Sequence, residues 1–225
     1  MSKRIYSPTS GPEAWKALLA KPDLHWKTGR SARAMAHSWE ASDGCPPEVA
    51  DCLSHVFSAT PEPLLTIPEH QVDLPGGRAP SQNDAFLLCG VGEALAVVMV
   101  EGKVDEPFGP TLGEWMANAS SGKRTRLDAL KAVLGIEGDL DPGLRYQLLH
   151  RTASAVIEAG RFRARHAVCL VHSFSPTARW REDFERFALR LDAPLNANGW
   201  SQAPGRSDPT LHLAWVAGEA SFLEE

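Results

Sequence analysis

Two acidic residues and a lysine stand at the ends of neighbouring apolar runs near the middle of the chain. Asp84 directly precedes the run at residues 85–89, and Glu101 and Lys103 follow the run at residues 95–100. Carboxylates are ligands that Mg²⁺ prefers, and the ion keeps several waters when two carboxylates hold it. A lysine ammonium nearby could orient or activate a water and stabilise charge that develops on a phosphate. The residue types and their spacing therefore indicate a site for phosphodiester hydrolysis.

The turn between the two runs decides whether these side chains meet. If Val91 and Gly92 form a two-residue hairpin turn, Asp84 lies opposite Met99. Side chains alternate along a strand, so Asp84 and Glu101 would be diagonal neighbours on one face, roughly 7–8 Å apart at the backbone. A slip of one residue would move Asp84 to the opposite face. We predict the register that the Val91–Gly92 turn sets.

Hydrophobic periodicity predicts the elements that must position these residues. Helical patterns cover residues 12–20, 31–41, 46–56, 112–119, 125–134, 144–159 and 182–191. Strand-like runs cover residues 64–67, 85–89, 95–100, 167–171 and 211–216. Residues 21–29 and 192–209 are expected to be connections, and Ser31 is expected to cap the second helix. This order predicts an α/β protein in which helices surround a mixed sheet.

At Asp84, Glu101 and Lys103 the chain resembles the PD-(D/E)XK nuclease superfamily, whose core is the restriction-endonuclease-like fold. The resemblance in element order extends over residues 30–172: a helix, a three-stranded antiparallel unit, a helix and a strand. Asn83 stands where the superfamily motif has proline, a departure that its members often show. The resemblance implies an α/β, restriction-endonuclease-like core, a mixed β-sheet flanked by helices, with an N-terminal helical extension.

The resemblance also implies a role for each site residue. Asp84 and Glu101 would hold Mg²⁺ or Mn²⁺, and Lys103 would position the attacking water and stabilise the transition state. The acid of the family's first helix would fall on Glu40, as a further metal ligand. The polar residue of the helix after the motif would be Gln147, in a supporting catalytic role. The tract at residues 100–109 also resembles a family of uncharacterised bacterial proteins, which implies no activity.

Other polar residues have competing interpretations. Glu69 could line the same cleft, but an exposed charge at the end of a strand is the favoured interpretation. His150 is expected to be a half-buried, hydrogen-bonded histidine rather than a base. Basic residues cluster at three places that would suit nucleic-acid phosphates, although solvated helix faces explain each cluster better: residues 123–126, Arg145 with Arg151, and residues 161–166.

Composition limits the classes of protein to which the chain can belong. Its 225 residues are 43% hydrophobic and 23% charged, which excludes disorder for the bulk of the chain. The net charge of −5 disfavours a protein that coats nucleic acid, without excluding a local basic groove. The longest apolar run, residues 94–100, is far shorter than the ~20 residues of a membrane span. The 4 cysteines form no CxxC pair, and no apolar signal core follows Lys3 and Arg4, so a cytoplasmic protein is expected.

These observations predict a single domain over residues 1–225. Residues 1–60 would form the helical extension with the first core helix, residues 61–175 the nuclease-like core, and residues 176–225 a C-terminal helix and strand. The predicted function is a metal-dependent nuclease that hydrolyses phosphodiester bonds in nucleic acid, with DNA favoured over RNA and no membrane partner. The alternative is a non-catalytic nucleic-acid-binding or protein-interaction module on the same fold.

Overall fold

The N-terminal part of the chain is helical, as predicted. The computed structural model describes residues 9–225, so residues 1–8, the first part of the expected extension, lie outside the described residues. The helices are a 3₁₀ helix (Pro12–Leu18), α1 (Pro22–His25), α2 (Ser31–Ala41) and α3 (Pro47–Phe57). The predicted first helix is thus a 3₁₀ helix, and α1 lies within the expected connection. Both begin at a proline, whose fixed φ suits a first turn.

A six-stranded mixed sheet forms the centre of the molecule, which confirms the predicted α/β class. Its strands are β1 (Glu62–Val72), β2 (Ser81–Val91), β3 (Ala94–Lys103), β4 (His166–Ser173), β5 (Trp200–Gln202) and β6 (Thr210–Ala217). The spatial order is β1-β2-β3-β4-β6-β5, with β3, β4 and β6 parallel and the other neighbours antiparallel. The sequence prediction missed β5, because three residues in a segment rich in Pro, Gly and Asn show no strand period.

The remaining helices connect and cover these strands. They are α4 (Leu112–Met116), α5 (Ser121–Leu134), α6 (Tyr146–Phe162) and α7 (Arg181–Arg190), followed by a 3₁₀ helix at Ala220–Leu223. Parallel neighbours need a crossover connection, and α6 lies in the connection between β3 and β4. None of the helices in residues 9–225 has the length and apolar character needed to cross a membrane.

The β2–β3 hairpin turns one residue later than predicted. Gly92 and Glu93 form the turn, and Gly92 has φ 59°, the left-handed conformation that two-residue hairpin turns need. Met99 therefore does not pair with Asp84, and Asp84 reaches the level of Glu101 instead. The predicted register is wrong by two residues. A shift of two keeps the alternation of faces, so the two acids still approach each other.

Two hydrophobic cores lie on opposite faces of the sheet. On β3, Val97 and Met99 join the core that α5, α6 and α7 cover, whereas Val98 and Val100 join the core that α2 and α3 cover. This alternation with a period of two is that of a strand buried on both faces. Since both layers pack on β3, the helices of each layer are fixed relative to the end of that strand.

Candidate active site

A cavity of about 430 Å³ opens at the edge of the sheet where β3 ends, beside the first turn of α6. Asp84, Glu101, Lys103 and Gln147 all line it. Because β2 and β3 are antiparallel, the beginning of β2 and the end of β3 meet at the same edge. Gln147 is the second residue of α6, which crosses this edge. The structure thus brings together four of the five residues that the sequence singled out.

Glu101 lies at the centre of a buried network of donors. Lys103 Nζ is 2.5 Å and Gln147 Nε2 is 2.7 Å from Glu101 Oε1, and Arg151 Nε is 2.6 Å from Glu101 Oε2. Burial alone would raise the pKa of Glu101, but the nearby charges of Arg151 and Lys103 and their hydrogen bonds outweigh it and lower the pKa to about 2. Glu101 is therefore ionised throughout the physiological range.

Arg151 is a site residue that the sequence prediction did not include. It is 8% exposed, and besides its contact with Glu101 its Nη1 donates to Ser81 Oγ at 2.9 Å. Ser81 Oγ also lies 2.8 Å from His150 Nδ1, so His150 is hydrogen-bonded and half-buried, as predicted. The available signal was the spacing: Arg151 stands one helical turn after Gln147, on the same side of α6.

Asp84 lies one residue before Ala85, which pairs with Val100 at this end of the β2–β3 ladder. Here the side chain of Asp84, and not its backbone, contacts the facing strand. Asp84 Oδ2 accepts the backbone N–H of Gly102 at 2.7 Å. Among residues 9–225 this is the one hydrogen bond of the Asp84 side chain, which lines the cavity. Burial and the negative charge of Glu101 raise the pKa of Asp84 to about 7, against the opposing effects of Arg151 and Lys103.

Glu69 is a second acid whose role the sequence prediction missed. It was expected to be an exposed charge at a strand end, but it is half-buried, lines the cavity and accepts from Gln82 Nε2 at 2.6 Å. The flanking pairs of the β1–β2 ladder place it at the level of Asp84, and its φ of 50° interrupts the pairing there. Burial and the charge of Asp84 raise the pKa of Glu69 to about 8. A left-handed residue inside a strand has no sequence signature when it is glutamate.

Glu40 is the one predicted site residue that does not line the cavity. The helix α2 contributes its first two residues, Ser31 and Ala32, to the cavity wall. At a rise of ~1.5 Å per residue, Glu40 lies roughly 12 Å further along the helix. Its Oε1 accepts the indole N–H of Trp15 at 2.9 Å. The structure therefore does not bring Glu40 together with Asp84 and Glu101.

The start of α2 is fixed to the end of β3 by another acid, Glu106. Ser31 was expected to be the N-cap, but it is the first helical residue, after Arg30. Glu106 Oε1 accepts both the N–H and the hydroxyl of Ser31, at 3.0 and 3.2 Å, and its Oε2 accepts the N–H of Val104 at 3.1 Å. A carboxylate distant in sequence thus performs the capping, which positions α2 as one wall of the cavity.

The donor set of the cavity suits a hard cation. Asp84, Glu101 and Glu69 offer carboxylate oxygens, which Mg²⁺ and Mn²⁺ accept as ligands. Burial is the main cause of the raised pKa of Asp84 and of Glu69, and repulsion by Glu101 and by Asp84, respectively, adds to it; a divalent cation would offset that repulsion. In the part of the chain that the structure describes, no group of three or more His, Cys, Asp or Glu side chains is already arranged to hold a metal ion. By their chemistry, two of the three carboxylates, with water or substrate as further ligands, would be enough to hold such a cation.

Comparison with known proteins gives a family for the chain. Residues 8–220 match a family model described as "Domain of unknown function (DUF6946)". The chain belongs to this family. Neither the curated proteins nor the solved structures contain a match to the chain. The DUF6946 region spans the whole sheet and every residue of the cavity named above.

Proposed function

We propose that this DUF6946 protein is a nuclease, dependent on Mg²⁺ or Mn²⁺, that hydrolyses phosphodiester bonds. The observation that carries the proposal is the convergence of Asp84, Glu101 and Lys103 in one cavity, where the Asp84 carboxylate makes a single hydrogen bond, through Oδ2 to Gly102. The order of a three-stranded antiparallel unit, a helix and a parallel strand supports a restriction-endonuclease-like core. In this proposal the protein is cytoplasmic and its substrate is DNA in preference to RNA.

The carboxylates of the site have distinct roles in this proposal. Asp84 and Glu101 would hold the cation, and Glu69, which lies opposite Asp84 in the β1–β2 register and lines the same cavity, would be available as a third acidic group. When bound, the cation would supply Lewis acidity and make a nearby water more acidic. Glu101 must share an oxygen that already accepts a hydrogen bond, whereas Asp84 has Oδ1 to offer without losing a bond. Asp84 is therefore the stronger ligand.

Lys103 would act on the phosphate. Its ammonium is held between Glu101 and the face of Phe108, whose ring centroid is 4.9 Å from Nζ. The side chain is only 5% exposed, so its charge acts in a medium less polarisable than water. From this position Lys103 would orient the attacking water and stabilise charge on the phosphoryl oxygens. Gln147 and Arg151 would be positioning residues that hold Glu101 in place.

A cleavage assay with matched variants tests the proposal. Labelled single-stranded DNA, double-stranded DNA and RNA would be incubated with the protein in Mg²⁺, Mn²⁺ or EDTA. We expect cleavage that requires the metal and falls at least 100-fold in Asp84→Asn and in Lys103→Met. Glu93→Gln is the control, because Glu93 is exposed in the hairpin turn at the far end of the same strands. Full activity in Asp84→Asn would contradict the assignment.

A second candidate function is a non-catalytic module that binds nucleic acid or protein. The observation in its favour is that both oxygens of Glu101 already accept hydrogen bonds from Lys103, Gln147 and Arg151, as in a purely structural ion-pair network. This candidate predicts nucleic-acid or protein binding that needs no metal and survives Lys103→Ala. The nuclease proposal instead predicts Mn²⁺ binding, measured by calorimetry, that disappears in the Asp84→Ala/Glu101→Ala double variant.

A further inference from the structure

A second cavity, of about 340 Å³, adjoins the candidate active site. Tyr146 and His150, on the first turns of α6, line both cavities. The first two turns of α5 also line the second cavity, with Gly122, Lys123 and Arg126. The function proposed above uses none of these α5 residues.

Arg126 presents a buried positive charge with no counter-ion. Arg126 is only 7% exposed, and its Nη1 donates to the carbonyl of Ala79 at 3.1 Å. Its Nε is buried without a hydrogen-bond partner. Among the residues that the structure describes, no carboxylate forms a salt bridge with Arg126. A buried cation is normally paired, because its removal from water costs free energy that only a nearby anion returns.

Two glycines in the turn between β1 and β2 allow the backbone to pack closely against Arg126. Gly76 has φ +82°, and a Cβ at that position would lie 2.6 Å from the Arg126 backbone. A Cβ at Gly77 would lie 2.7 Å from Arg126 Nη2. Only glycine allows the turn between β1 and β2 to approach α5 this closely, and Gly76 itself lines the second cavity beside Arg126.

Lys123 and the N-terminus of α5 add to the positive potential of the second cavity. Lys123 Nζ donates to the carbonyl of Trp115 at 2.6 Å and lies 5.3 Å from the centroid of the Trp115 ring, with no carboxylate partner in residues 9–225. The N-cap Ser120 accepts the N–H of Lys123, which leaves the N–H groups of Ser121 and Gly122 without helical acceptors. Free N–H groups at the start of a 14-residue helix attract anions.

We infer that this second cavity binds a phosphate group through Arg126, Lys123 and the first N–H groups of α5. A phosphate is the anion that fits best, because it can accept from a guanidinium, an ammonium and backbone N–H groups at once. The source of the phosphate rests on the proposed function. If the neighbouring cavity holds a scissile bond, the phosphate here belongs to the same nucleic-acid strand, close to the bond that is cut.

Binding measurements without metal test the inference independently of cleavage. The full chain would be titrated, in EDTA, with inorganic phosphate by thermal shift and with a fluorescein-labelled single strand by anisotropy. We expect phosphate at about 10 mM to raise the melting temperature of the wild type. We expect Lys123→Gln and Arg126→Met each to abolish this rise and to weaken strand binding about tenfold, with a shallower dependence of affinity on salt. Arg124→Gln is the control, because Arg124 is the exposed neighbour on the same helix.

Arg126→Met also distinguishes a ligand site from a structural role. The charge of Arg126 has no counter-ion in the free protein, and relief of its burial should offset the lost hydrogen bond to Ala79, so we expect the variant to melt close to the wild type in phosphate-free buffer. Lys123→Gln serves as the second variant, because the partly exposed Lys123 can be replaced without opening the core.

Each outcome has a defined meaning. Unchanged responses to phosphate and to the strand in both variants would overturn the inference, even if the protein cleaves DNA. Loss of the phosphate response with unchanged strand binding would support the cavity as a site for free phosphate and would overturn its assignment to the strand. Loss of both in a protein that cuts nothing would support the site and contradict only the nuclease proposal.

Discussion

The carboxylate of Glu101 makes the main electrostatic contribution to the stability of the site. The salt bridges of two buried cations, Lys103 and Arg151, both go to that carboxylate, and Asp84 and Glu69 add smaller attractions to Arg151. Removing the charge while keeping the shape would leave both cations unpaired in the interior. Breaking a buried pair in this way costs far more than losing a surface salt bridge.

The first prediction therefore concerns Glu101→Gln. We expect its free energy of unfolding to fall by about 3–5 kcal/mol in urea denaturation, because Lys103 and Arg151 lose their counter-ion. Glu93→Gln, in the exposed turn, should change the same quantity by less than about 0.5 kcal/mol. A Glu101→Gln variant as stable as the wild type would show that the two cations are compensated elsewhere.

The second prediction concerns pH. The folded protein keeps a proton on Asp84 up to a pKa of about 7, whereas the unfolded chain releases it near 3.8. Between these values the folded state binds more protons, so stability falls as pH rises, by at most about 1.4 kcal/mol per pH unit for each such group. Asp84→Asn lacks this titration. Its stability relative to the wild type should therefore increase from pH 4 to pH 7, as urea denaturation at each pH would measure. Parallel pH curves for the two proteins would contradict the shift.

At this scale the sequence identifies residue types but not long-range partners. Asp84, Glu101 and Lys103 could be predicted because they stand at the ends of apolar runs. Glu69 was assigned to the surface because nothing local indicates that a strand residue will take φ 50° and face Asp84. Glu40 was assigned to the site by resemblance, and only the packing of Trp15 shows that its carboxylate is used elsewhere.

Among the elements, α2 and β3 approach each other closely near the site. A Cβ on Gly102, the residue between Glu101 and Lys103, would lie 2.5 Å from Met35 Cγ and 3.3 Å from Asp84 Oδ2. Met35 is fully buried in α2. The absence of a side chain at Gly102 thus fixes the distance between helix and strand, and also leaves room for the carboxylate of Asp84.

The third prediction is a double-mutant cycle across this contact. We expect Gly102→Ala to lower the free energy of unfolding by about 1–3 kcal/mol, because the new methyl group overlaps Met35. In Met35→Ala the overlap is gone, so Gly102→Ala should cost at least about 0.5 kcal/mol less in that background. Gly160→Ala is the control: a Cβ there, in α6, meets no atom within 4 Å. Strictly additive costs would show that α2 does not limit residue 102.

The elements themselves could largely be predicted, since long apolar stretches with a clear period fold as that period indicates. Their ends could not. The hairpin register depended on whether Val91 or Gly92 begins the turn, and only the pairing of the strands decides this. The N-terminus of α2 was assigned to Ser31, but its acceptor is Glu106, which is 75 residues away in sequence. Such boundaries are set by tertiary contacts that a local pattern does not contain.

In the whole molecule, the candidate site joins elements from both faces of the sheet. Its cavity is lined by the segment before α1, by α2, by the strand ends and by α6. A ligand that binds there bridges the two hydrophobic cores. Binding should therefore stabilise the molecule globally and not only one layer.

The fourth prediction follows from this placement. If Mn²⁺ binds the folded protein alone, its presence at 100 times the dissociation constant should raise the free energy of unfolding by about 2.7 kcal/mol, and the melting temperature should rise accordingly. The rise in melting temperature should be the same by tryptophan fluorescence and by circular dichroism. Trp15 and Trp39 lie in one core and Trp215 in the other, so fluorescence reports on both layers. Asp84→Asn should abolish the rise. A rise that persists in this variant would place the ion elsewhere.

The hydrogen bonds around Glu101 have a consequence for the order in which ligands arrive. A cation that binds an oxygen of Glu101 competes with Lys103 and Arg151 for its charge, and a phosphate can replace Glu101 as the anionic partner of either cation. The cation and the phosphate should therefore bind with positive heterotropic coupling, each raising the affinity for the other by the same factor. The affinity for the cation or for the phosphate alone should therefore be low, and the affinity for each should be higher when the other is already bound.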